Sequence, residues 1–440
     1  MLDIKFIRQN KKKVEEGLKA KEAKVDIERL LSVDEKRRGL ITEVDNLRAA
    51  QNQISDEIAH SAGEQREDAI IASRNLKDDI AHKEFELKSL EEEFNDLMYQ
   101  FPNLPLADVP VGKDETENKV LRTWGEPSKF EFEPRDHVVI GQDLGILDIE
   151  QASKIVGTRF AYLKGGLAVL EFALIQFTLE QLMSAKIIKK IADTVSKGYN
   201  ATPFIPIVPP TMIKPEVFKK MARLSEKDKD ERYYLQQDDL YLVGSAEHTM
   251  GPLHMDETME EDRLPMRYLG FSTSFRREAG SYGKDTRGIL RVHQFDKLEM
   301  ESFTVSENSI KEQDFIVALQ EHLVRSLGIP YRVVIMCTGD TGVPDARQID
   351  IEMWMPGQGR YRETHTSDLM TDFQARRLNT KVRRKDGSVE FVHMNDATAF
   401  AIGRTLIAIL ENYQQADGSV RIPEILQPYT FGLKEIKRGG

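Results

Sequence analysis

The chain has 440 residues, and its 73 acidic residues outnumber its 62 lysines and arginines, which gives a formal net charge of −11 at pH 7. A chain of this length can bury a large core and is expected to contain two or more domains. The acidic balance argues against a general nucleic-acid coat and against DNA as a partner, but it is compatible with a local basic track that binds RNA.

The cysteine content and the hydropathy pattern set two further limits. Cys337 is the single cysteine, so a disulfide framework and a cysteine-rich zinc site are excluded, and a reducing, cytoplasmic setting is expected. No apolar run in the sequence approaches the ~20 residues that a membrane span needs. We therefore expect neither a signal peptide nor a membrane anchor.

Two segments in the first quarter of the chain carry the pattern of a coiled coil. In residues 33–58 and 76–97, apolar side chains recur with alternating steps of four and three. The polar segment 61–68 predicts a turn, so the two helices run antiparallel in a hairpin about 50 Å long at 1.5 Å per residue. Taken alone, this pattern favours a dimerisation coil or a spacer.

Residues 101–115 contain three prolines and no helical period, which predicts a linker. The linker separates an N-terminal domain, 1–100, from a larger C-terminal domain, 116–440. In the C-terminal domain, the mostly apolar residues 170–195 predict one continuous helix.

Residues 271–300 predict two strands joined by the polar loop 280–288, because apolar and polar residues alternate on both sides of that loop. Side chains two apart in a strand share a face. Guanidiniums, carboxylates, an imidazole and an aromatic ring on one face suit a ligand with phosphate, a flat base and an amine, although a solvated face with ion pairs is the alternative. The shared face carries Arg276, Glu278, Arg291, His293, Phe295, Lys297 and Glu299.

The run FRREAGSYGKDTRG, followed by RVHQFDKLEM, closely resembles the second signature motif of class II aminoacyl-tRNA synthetases, in the form typical of the seryl-tRNA synthetase family. The resemblance implies an α+β fold, in which helices flank an antiparallel sheet and an N-terminal coiled-coil arm grips the tRNA. It also implies the reaction: serine attacks the α-phosphate of ATP to give seryl-adenylate, and serine tRNA then accepts the seryl group at its 3′ end.

Three further motifs resemble those of the same family. YLVGSAE, residues 241–247, resembles its Thr-x-Glu loop, with Ser245 in place of threonine; both carry a β-hydroxyl. YRETHTSD follows a predicted strand and contains Glu363 and Thr366, which match the pair that faces serine and a magnesium ion. TAFAIGRTLIAILENYQQADG places Arg404 in the first turn of a helix that Gly418 is expected to end.

The resemblance assigns roles to individual residues. Arg276 and Arg404 would be the catalytic residues, with Arg276 on the α-phosphate and Arg404 on the γ-phosphate. ATP would be bound by Arg276, Glu278, Arg291, Phe295, Glu363, Thr366 and Arg404. Serine would be bound by Ser245, Glu247, Arg276, Glu299 and Thr398. Magnesium would be held by Glu363 and Thr366, and tRNA by Arg37, Arg38, Arg48, Lys284 and Arg287.

Some positions depart from the family pattern. Asp368 stands where the family shows a small neutral residue, and we expect it to face solvent or to pair with a base such as Arg376, because an unpaired carboxylate beside Glu363 would be costly. Asn395 and Asp396 also differ from the usual pair. Residues 135–164 match the approach to the first signature motif, and the helix 170–195 is expected at the interface of a homodimer.

Two other classes of protein remain as alternatives. A ligase that charges a carrier protein with an amino acid would keep the ATP-binding residues, but that related family lacks the long arm. A non-catalytic paralogue would have lost motif arginines, whereas Arg276 and Arg404 are both present. The expected small molecules are therefore serine, ATP and Mg²⁺, and the expected macromolecular partner is serine tRNA.

Overall fold

The computed structural model describes residues 1–279 and 287–438, except for the side chains of residues 226 and 227. The chain divides into two compact units, Met1–Pro102 and Asn103–Gly440. The predicted linker 101–115 is held to the second unit at Asn103. The Nδ2 atom of Asn103 donates hydrogen bonds to the carbonyl oxygens of Pro344, at 2.9 Å, and Met370, at 2.7 Å.

The N-terminal unit is helical, as the coiled-coil pattern predicts. Its helices are α1 (Ile4–Gln9), α2 (Lys11–Ala20), α3 (Ile27–His60) and α4 (Glu64–Gln100). The 34 residues of α3 span about 50 Å at 1.5 Å per residue. α3 packs along α4, and the buried seam includes Val33, Leu40 and Val44 from α3 and Ile80 and Phe94 from α4.

The turn of this hairpin is shorter than the sequence predicts. The polar segment 61–68 is not a turn throughout, because α4 begins at Glu64. Gly63 precedes it with a φ of 63°, a left-handed value that glycine adopts without steric cost. The glutamates and glutamine that follow are good helix formers and favour the positive end of the helix dipole, so they extend the helix rather than the turn.

The C-terminal unit combines helices with a large sheet. Its α-helices are α5 (His137–Leu144), α6 (Ile149–Val156), α7 (Gly166–Met183), α8 (Ala185–Val195), α9 (Pro215–Lys220), α10 (Glu226–Lys229), α11 (Glu247–Met250), α12 (Ser309–Ser326), α13 (Phe373–Leu378) and α14 (Ile402–Asn412). Short 3-10 helices are Glu115–Glu117, Gly251–His254, Glu261–Arg263, Ser306–Asn308, Pro356–Gln358 and Glu424–Tyr429.

The strands of this unit form one large sheet and several small ones. They are β1 (Lys119–Trp124), β2 (Leu147–Asp148), β3 (Tyr162–Leu163), β4 (Ile205–Ile207), β5 (Met212–Ile213), β6 (Tyr234–Leu235), β7 (Leu240–Leu242), β8 (Thr258–Glu260), β9 (Met266–Phe275), β10 (Gln294–Thr304), β11 (Tyr331–Ile335), β12 (Arg347–Met355), β13 (Arg360–Thr371), β14 (Lys381–Arg383), β15 (Val389–Phe391), β16 (His393–Ala401), β17 (Val420–Arg421) and β18 (Glu435–Ile436).

The large sheet has eight strands in the order β1-β11-β12-β13-β16-β10-β9-β4. Neighbouring strands are antiparallel, except that β4 runs parallel to β9. Helices α12 and α14 pack against the sheet, and one hydrophobic core contains side chains from both helices and from the central strands. This arrangement confirms the predicted α+β fold with an antiparallel sheet flanked by helices.

Two helix boundaries differ from the prediction. Residues 170–195 are not one helix, because α7 ends at Met183 and α8 begins at Ala185. Ser184 between them is the N-cap of α8, and its side chain accepts a hydrogen bond from Ile187 N, a typical helix-start interaction. Helix α14 ends at Asn412, and Gly418 lies in the turn before β17 with a φ of 85°.

By length and composition, α7 is apolar enough to cross a membrane. Half of it is buried inside the protein, as in the core helices of many globular folds.

Candidate active site

A cavity of about 530 Å³ lies on the large sheet, at the ends of β9 and β10 and beside β13, β16 and the start of α14. It brings together most of the predicted site residues, although they come from distant parts of the chain. The predicted residues that line it are Glu247, Arg276, Glu278, Arg291, Phe295, Glu363, Thr366, Thr398 and Arg404.

The hairpin that supplies four of these residues has shorter strands than the sequence predicts. Phe275, the last residue of β9, pairs with Gln294, the first residue of β10, and one further backbone hydrogen bond runs from Arg276 N to His293 O at 3.0 Å. Glu278 and Arg291 lie beyond this paired region. Glu278 has a φ of 52°, which a regular strand cannot include. The side chains reach the cavity because the chain leaves the sheet at this point, and not because they share a strand face.

One end of the cavity is rich in guanidinium groups. The guanidinium of Arg276 lies 5.2 Å from the ring centroid of Phe295, and its Nε donates to Gly244 O at 3.1 Å. Arg404 Nη1 lies 2.8 Å from Glu363 Oε1, and this charge lowers the pKa of the Glu363 carboxyl. Arg291 Nη1 lies 3.4 Å from Glu278 Oε2. Cations beside an aromatic ring suit a nucleotide, whose phosphates and base need both.

Two β-bulges place side chains in the cavity that strict alternation would separate. On β13, the pairing with β12 skips Thr364, so Glu363 and Thr366 both line the cavity although they are three residues apart. On β16, the pairing with β10 skips Ala399, between Thr398 and Phe400. Bulges of this kind re-aim side chains and occur often beside active sites.

A buried amide braces the same strands. Gln320 on α12 donates hydrogen bonds from Nε2 to the carbonyl oxygens of Thr366, at 2.7 Å, and Thr398, at 2.8 Å. The two threonine hydroxyls lie 3.1 Å apart. The floor of the cavity therefore has a fixed pair of hydroxyl groups between β13 and β16.

The other end of the cavity is acidic and buried. Lys297 lines this end. Its Nζ lies 2.5 Å from Glu299 Oε2 and donates a hydrogen bond to Ser245 Oγ at 3.2 Å. Ser245 and Glu299 are thus placed directly behind the lining. Burial raises the pKa of Glu299 to about 7, against the opposing effect of Lys297. Oxygens of Glu247, Glu299 and Asp396 lie within 4.8 Å of one another, a spacing that suits one small cation such as an ammonium group.

The structure reveals a residue that the sequence reasoning missed. Arg223, between α9 and α10, lies against four carboxylates: its Nε is 2.9 Å from Glu247 Oε1, and its Nη2 is 3.3 Å from Asp368 Oδ2, 3.4 Å from Asp396 Oδ2 and 3.6 Å from Asp345 Oδ1. It belongs to no recognised motif. A surplus of acidic residues at the predicted pocket was the only available signal that a further cation was needed.

Asp368 pairs with an arginine, as expected, but the arginine is not Arg376 and the pair does not face solvent. Asp368 lines the cavity, is 7% exposed, and pairs with Arg223, whereas Arg376 Nε bonds Asp372 Oδ2 at 2.7 Å. Burial and the neighbouring Asp345 raise the pKa of Asp368 well above its usual range, and Arg223 opposes this. Asp368 is thus paired inside the cavity, because burying an unpaired carboxylate would be costly.

The predicted tRNA-binding residues that the structure describes are not among those that line this cavity. Arg37 and Arg38 both pair with the buried Asp34, at 3.4 and 3.2 Å, and Arg48 Nη2 lies 2.6 Å from Glu84 Oε1. Arg287 is exposed and Lys284 lies outside the described residues. The three arm arginines therefore hold helix contacts in addition to any role toward a ligand.

Comparisons with known proteins agree with this geometry. Residues 231–413 match the tRNA synthetase class II core domain (G, H, P, S and T), and residues 1–105 match the seryl-tRNA synthetase N-terminal domain. An antiparallel sheet with this cavity, joined to that N-terminal domain, defines a class II aminoacyl-tRNA synthetase.

Full-length relatives narrow the assignment. The chain is 42% identical to the serine–tRNA ligase of Thermodesulfovibrio yellowstonii over 99% of this chain and 100% of the relative. The crystal structure of seryl-tRNA synthetase from Pyrococcus horikoshii complexed with ATP superposes with a TM-score of 0.87 at 36% identity, covering 100% of both chains. The cytoplasmic serine–tRNA ligase from Naegleria fowleri in complex with AMP gives 0.84 at 31% identity, covering 100% of this chain and 99% of the other. The chain belongs to the seryl-tRNA synthetase family.

Proposed function

We propose that this protein activates serine with ATP to form seryl-adenylate and then transfers the seryl group to the 3′ end of serine tRNA. The observation that carries the proposal is the polarity of one cavity, in which arginines and an aromatic ring occupy one end and buried carboxylates occupy the other. ATP fits the first end and the ammonium of an amino acid fits the second.

This arrangement orients the two substrates toward each other. Phe295 would stack on the adenine, Glu278 would face the adenine edge, and Arg276 and Arg404 would bind the α- and γ-phosphates. With its ammonium near Glu299, serine points its carboxylate toward the α-phosphate. A carboxylate oxygen then forms a bond to that phosphorus as the bond to pyrophosphate breaks. Positioning and neutralisation of charge are sufficient for this step, so the protein needs no covalent nucleophile.

We infer that Glu363 and Thr366 hold a magnesium ion when ATP is bound. Both offer hard oxygen ligands, and both line the cavity. Arg404 lowers the pKa of Glu363, which keeps this ligand ionised at neutral pH. The ion would neutralise part of the charge on the phosphates of ATP.

The first half-reaction is tested by amino-acid-dependent exchange between ATP and pyrophosphate. We expect serine to support exchange far better than any other standard amino acid, and magnesium to be required. A chain that exchanges with another amino acid and not with serine would overturn the proposal.

We propose that α3 and α4 bind the tRNA. Replacing residues 33–97 by a short Gly-Ser linker should leave exchange unchanged, because the cavity lining comes from the C-terminal unit. Aminoacylation of serine tRNA should fall steeply, and the salt-dependent affinity for tRNA should largely disappear. The matched control is the intact chain in the same assays at two salt concentrations.

A ligase that charges a carrier protein is the second candidate. Its supporting observation is that the lining residues of the cavity all belong to the C-terminal unit, so the ATP-binding residues do not require the arm. If the armless chain aminoacylates tRNA as well as the whole chain does, the arm is a spacer and this candidate gains support.

We further propose that the protein is a homodimer in the cytoplasm. Large apolar side chains are exposed on α6, β3 and α7 and near β4. Several exposed apolar side chains in neighbouring segments indicate an interaction surface, whereas a single one would not. They are Ile155, Val156, Tyr162, Phe172, Met183, Ile205 and Val208. The single cysteine suits a reducing compartment. Analytical ultracentrifugation of the chain, with Phe172→Glu as the disrupting variant, tests the dimer.

A further inference from the structure

The acidic end of the cavity has a floor of two rows of side chains. Strand register pairs Glu299 with Thr398 and Glu301 with Asp396, and it pairs Asp368 with the same Asp396 on the other side. Thr366 lies beside Thr398 through their hydroxyls. The first row is therefore Glu299, Thr398 and Thr366, and the second is Glu301, Asp396 and Asp368.

Arg223 covers the second row and determines how its carboxylates are arranged. Its side chain is 16% exposed, and it lies within 3.4 Å of both Asp368 and Asp396. A guanidinium presents its donors in a rigid fork, so contacts to two carboxylates at once restrict the orientation of each. Arg223 thus links the second row to Glu247, which lies in the ammonium-binding cluster.

Asp368 has one oxygen directed to Arg223 and one that is unused. Its Oδ2 is 3.3 Å from Arg223 Nη2, whereas its buried Oδ1 has no hydrogen-bond partner among the residues that the structure describes. Asp368 also lines the cavity. A buried acceptor without a donor is costly, so the site gains when a ligand supplies one.

We propose that Asp368 accepts a hydrogen bond from the side-chain hydroxyl of the amino-acid substrate, and that Arg223 is the positioning residue that holds Asp368 for this contact. The inference rests on the proposed function and names a determinant of its specificity. With the carboxylate of serine at Arg276 and its ammonium at Glu299, the side chain extends toward Asp368 in the second row. Alanine would leave Asp368 unpaired, which is how a polar pocket rejects an analogue that lacks a hydroxyl.

The test compares serine and alanine as substrates in ATP–pyrophosphate exchange. In Asp368→Ala, kcat/KM for serine should fall roughly 10- to 100-fold, because the buried hydroxyl of serine is left without its acceptor. Activity with alanine and the KM for ATP should change by less than about threefold, so the preference for serine falls by nearly the full factor. Asp368→Asn keeps a side-chain carbonyl and should restore part of that preference.

Asp372→Asn is the matched control. Asp372 lies on the same chain segment and pairs with Arg376 outside the cavity lining, so its variant should keep the preference of the native chain for serine. If Asp368→Ala does not fold, Asp368→Leu, which keeps the branched shape of the side chain without an acceptor, makes the same comparison. Equal losses with serine and alanine in the folded variant would overturn the proposal.

A double-mutant cycle tests the positioning role of Arg223. Arg223→Gln should lower the preference for serine when Asp368 is present and should have no further effect on it in Asp368→Ala. An equal effect in both backgrounds would show that Arg223 acts only on the stability of the pocket. Absence of serine-dependent exchange in the native chain would instead contradict the proposed function, so the two failures are distinguishable.

Discussion

The two ends of the cavity carry opposite charge balances. At the ATP end, Arg276, Arg291 and Arg404 line the cavity together with Phe295, and the carboxylates that pair with Arg291 and Arg404, from Glu278 and Glu363, are partly exposed. At the acidic end, where serine is proposed to bind, Arg223 and Lys297 face six buried carboxyl groups among the described residues. These are Glu247, Glu299, Glu301, Asp345, Asp368 and Asp396.

This difference explains how two charged substrates meet in a productive orientation. The cationic end attracts the polyphosphate of ATP, and the anionic end attracts the ammonium of serine. We propose that the acidic floor repels the carboxylate of serine and that Arg276 attracts it, because Arg276 lies between the two ends and lowers the pKa of both Glu299 and Glu363. The field of the site would then bring the nucleophile to the α-phosphate before any bond changes.

The largest expected effect is at this boundary. Arg276→Ala should reduce serine-dependent exchange a hundredfold or more, because loss of one preorganised donor to a reacting phosphate costs about 3 kcal/mol. Arg277→Ala is the control: Arg277 lies against Tyr233 rather than in the cavity lining, so its exchange rate should stay close to that of the native chain. Exchange by Arg276→Ala within threefold of the native rate would remove Arg276 from the reaction.

A smaller and more selective effect is expected at the acidic end. Glu299→Gln should raise the KM for serine by roughly thirtyfold, because a buried ammonium loses about 2 kcal/mol of charge-assisted hydrogen bonding. The KM for ATP should change little, since Glu299 lies behind Lys297 and pairs with it. Paired saturation curves measure both constants. Equal changes in the two would place Glu299 outside the amino-acid pocket.

The pH dependence of serine binding should also distinguish the two ends. Burial raises the pKa of Glu299 to about 7, so the ionised fraction rises roughly tenfold between pH 6 and pH 8. We expect kcat/KM for serine to rise by a similar factor over that range, and the rise should be absent in Glu299→Gln. The same raised pKa predicts that the contribution of Glu299 to stability is present at low pH and is lost as the pH rises from about 4.5 through 7.

The ATP end was largely predictable from the sequence, because its residues lie in contiguous motifs. The extent of the strands was not: Arg276 and Arg291 fit an alternating pattern, but the ladder ends at Phe275 and Gln294. Alternation of side chains continues past the last hydrogen bond, so it cannot show where pairing stops. The bulge that brings Glu363 and Thr366 onto one face was likewise invisible, because it depends on the partner strand.

The serine end was only partly predictable, for a different reason. Arg223 is separated from Asp368 by 145 residues and from Asp396 by 173. No local pattern marks a residue whose partners are brought to it only by the fold. The sequence did reveal Asp368 as unusual, and the cost of a buried carboxylate required a base near it. Choosing Arg376, a near neighbour in sequence, overlooked the fact that sheet register decides which side chains meet.

The smallest effect on activity is expected on the opposite face of β10. Asp296 lies between Phe295 and Lys297 in sequence, so its side chain points away from the nucleotide, and its Oδ1 accepts from Thr273 Oγ1 at 2.5 Å. Burial and a hydrogen bond with Asp296 raise the pKa of Glu171 to about 8. The Glu171 carboxyl is therefore largely protonated at neutral pH, and both residues line a second cavity of about 260 Å³.

Asp296→Asn should therefore change stability and leave catalysis nearly intact. A carboxyl whose pKa is raised from 4.5 to about 8 in the fold stabilises it at low pH, and this contribution disappears as the pH rises through that interval. The free energy of unfolding of the native chain should fall by about 1–2 kcal/mol between pH 6 and pH 8 because of Glu171, after allowance for its partial exposure. In Asp296→Asn the pKa of Glu171 falls, so the loss should be smaller. Thermal unfolding at the two pH values measures this difference, with Thr273→Val as a control that removes the hydroxyl but keeps both carboxyl groups.

Serine-dependent exchange by Asp296→Asn should stay within about twofold of the native rate, because the reacting groups all lie on the other side of the strand. A loss above tenfold at unchanged stability would mean that the two faces of β10 are coupled, and the charge balance of the cavity could then no longer be considered apart from the sheet behind it.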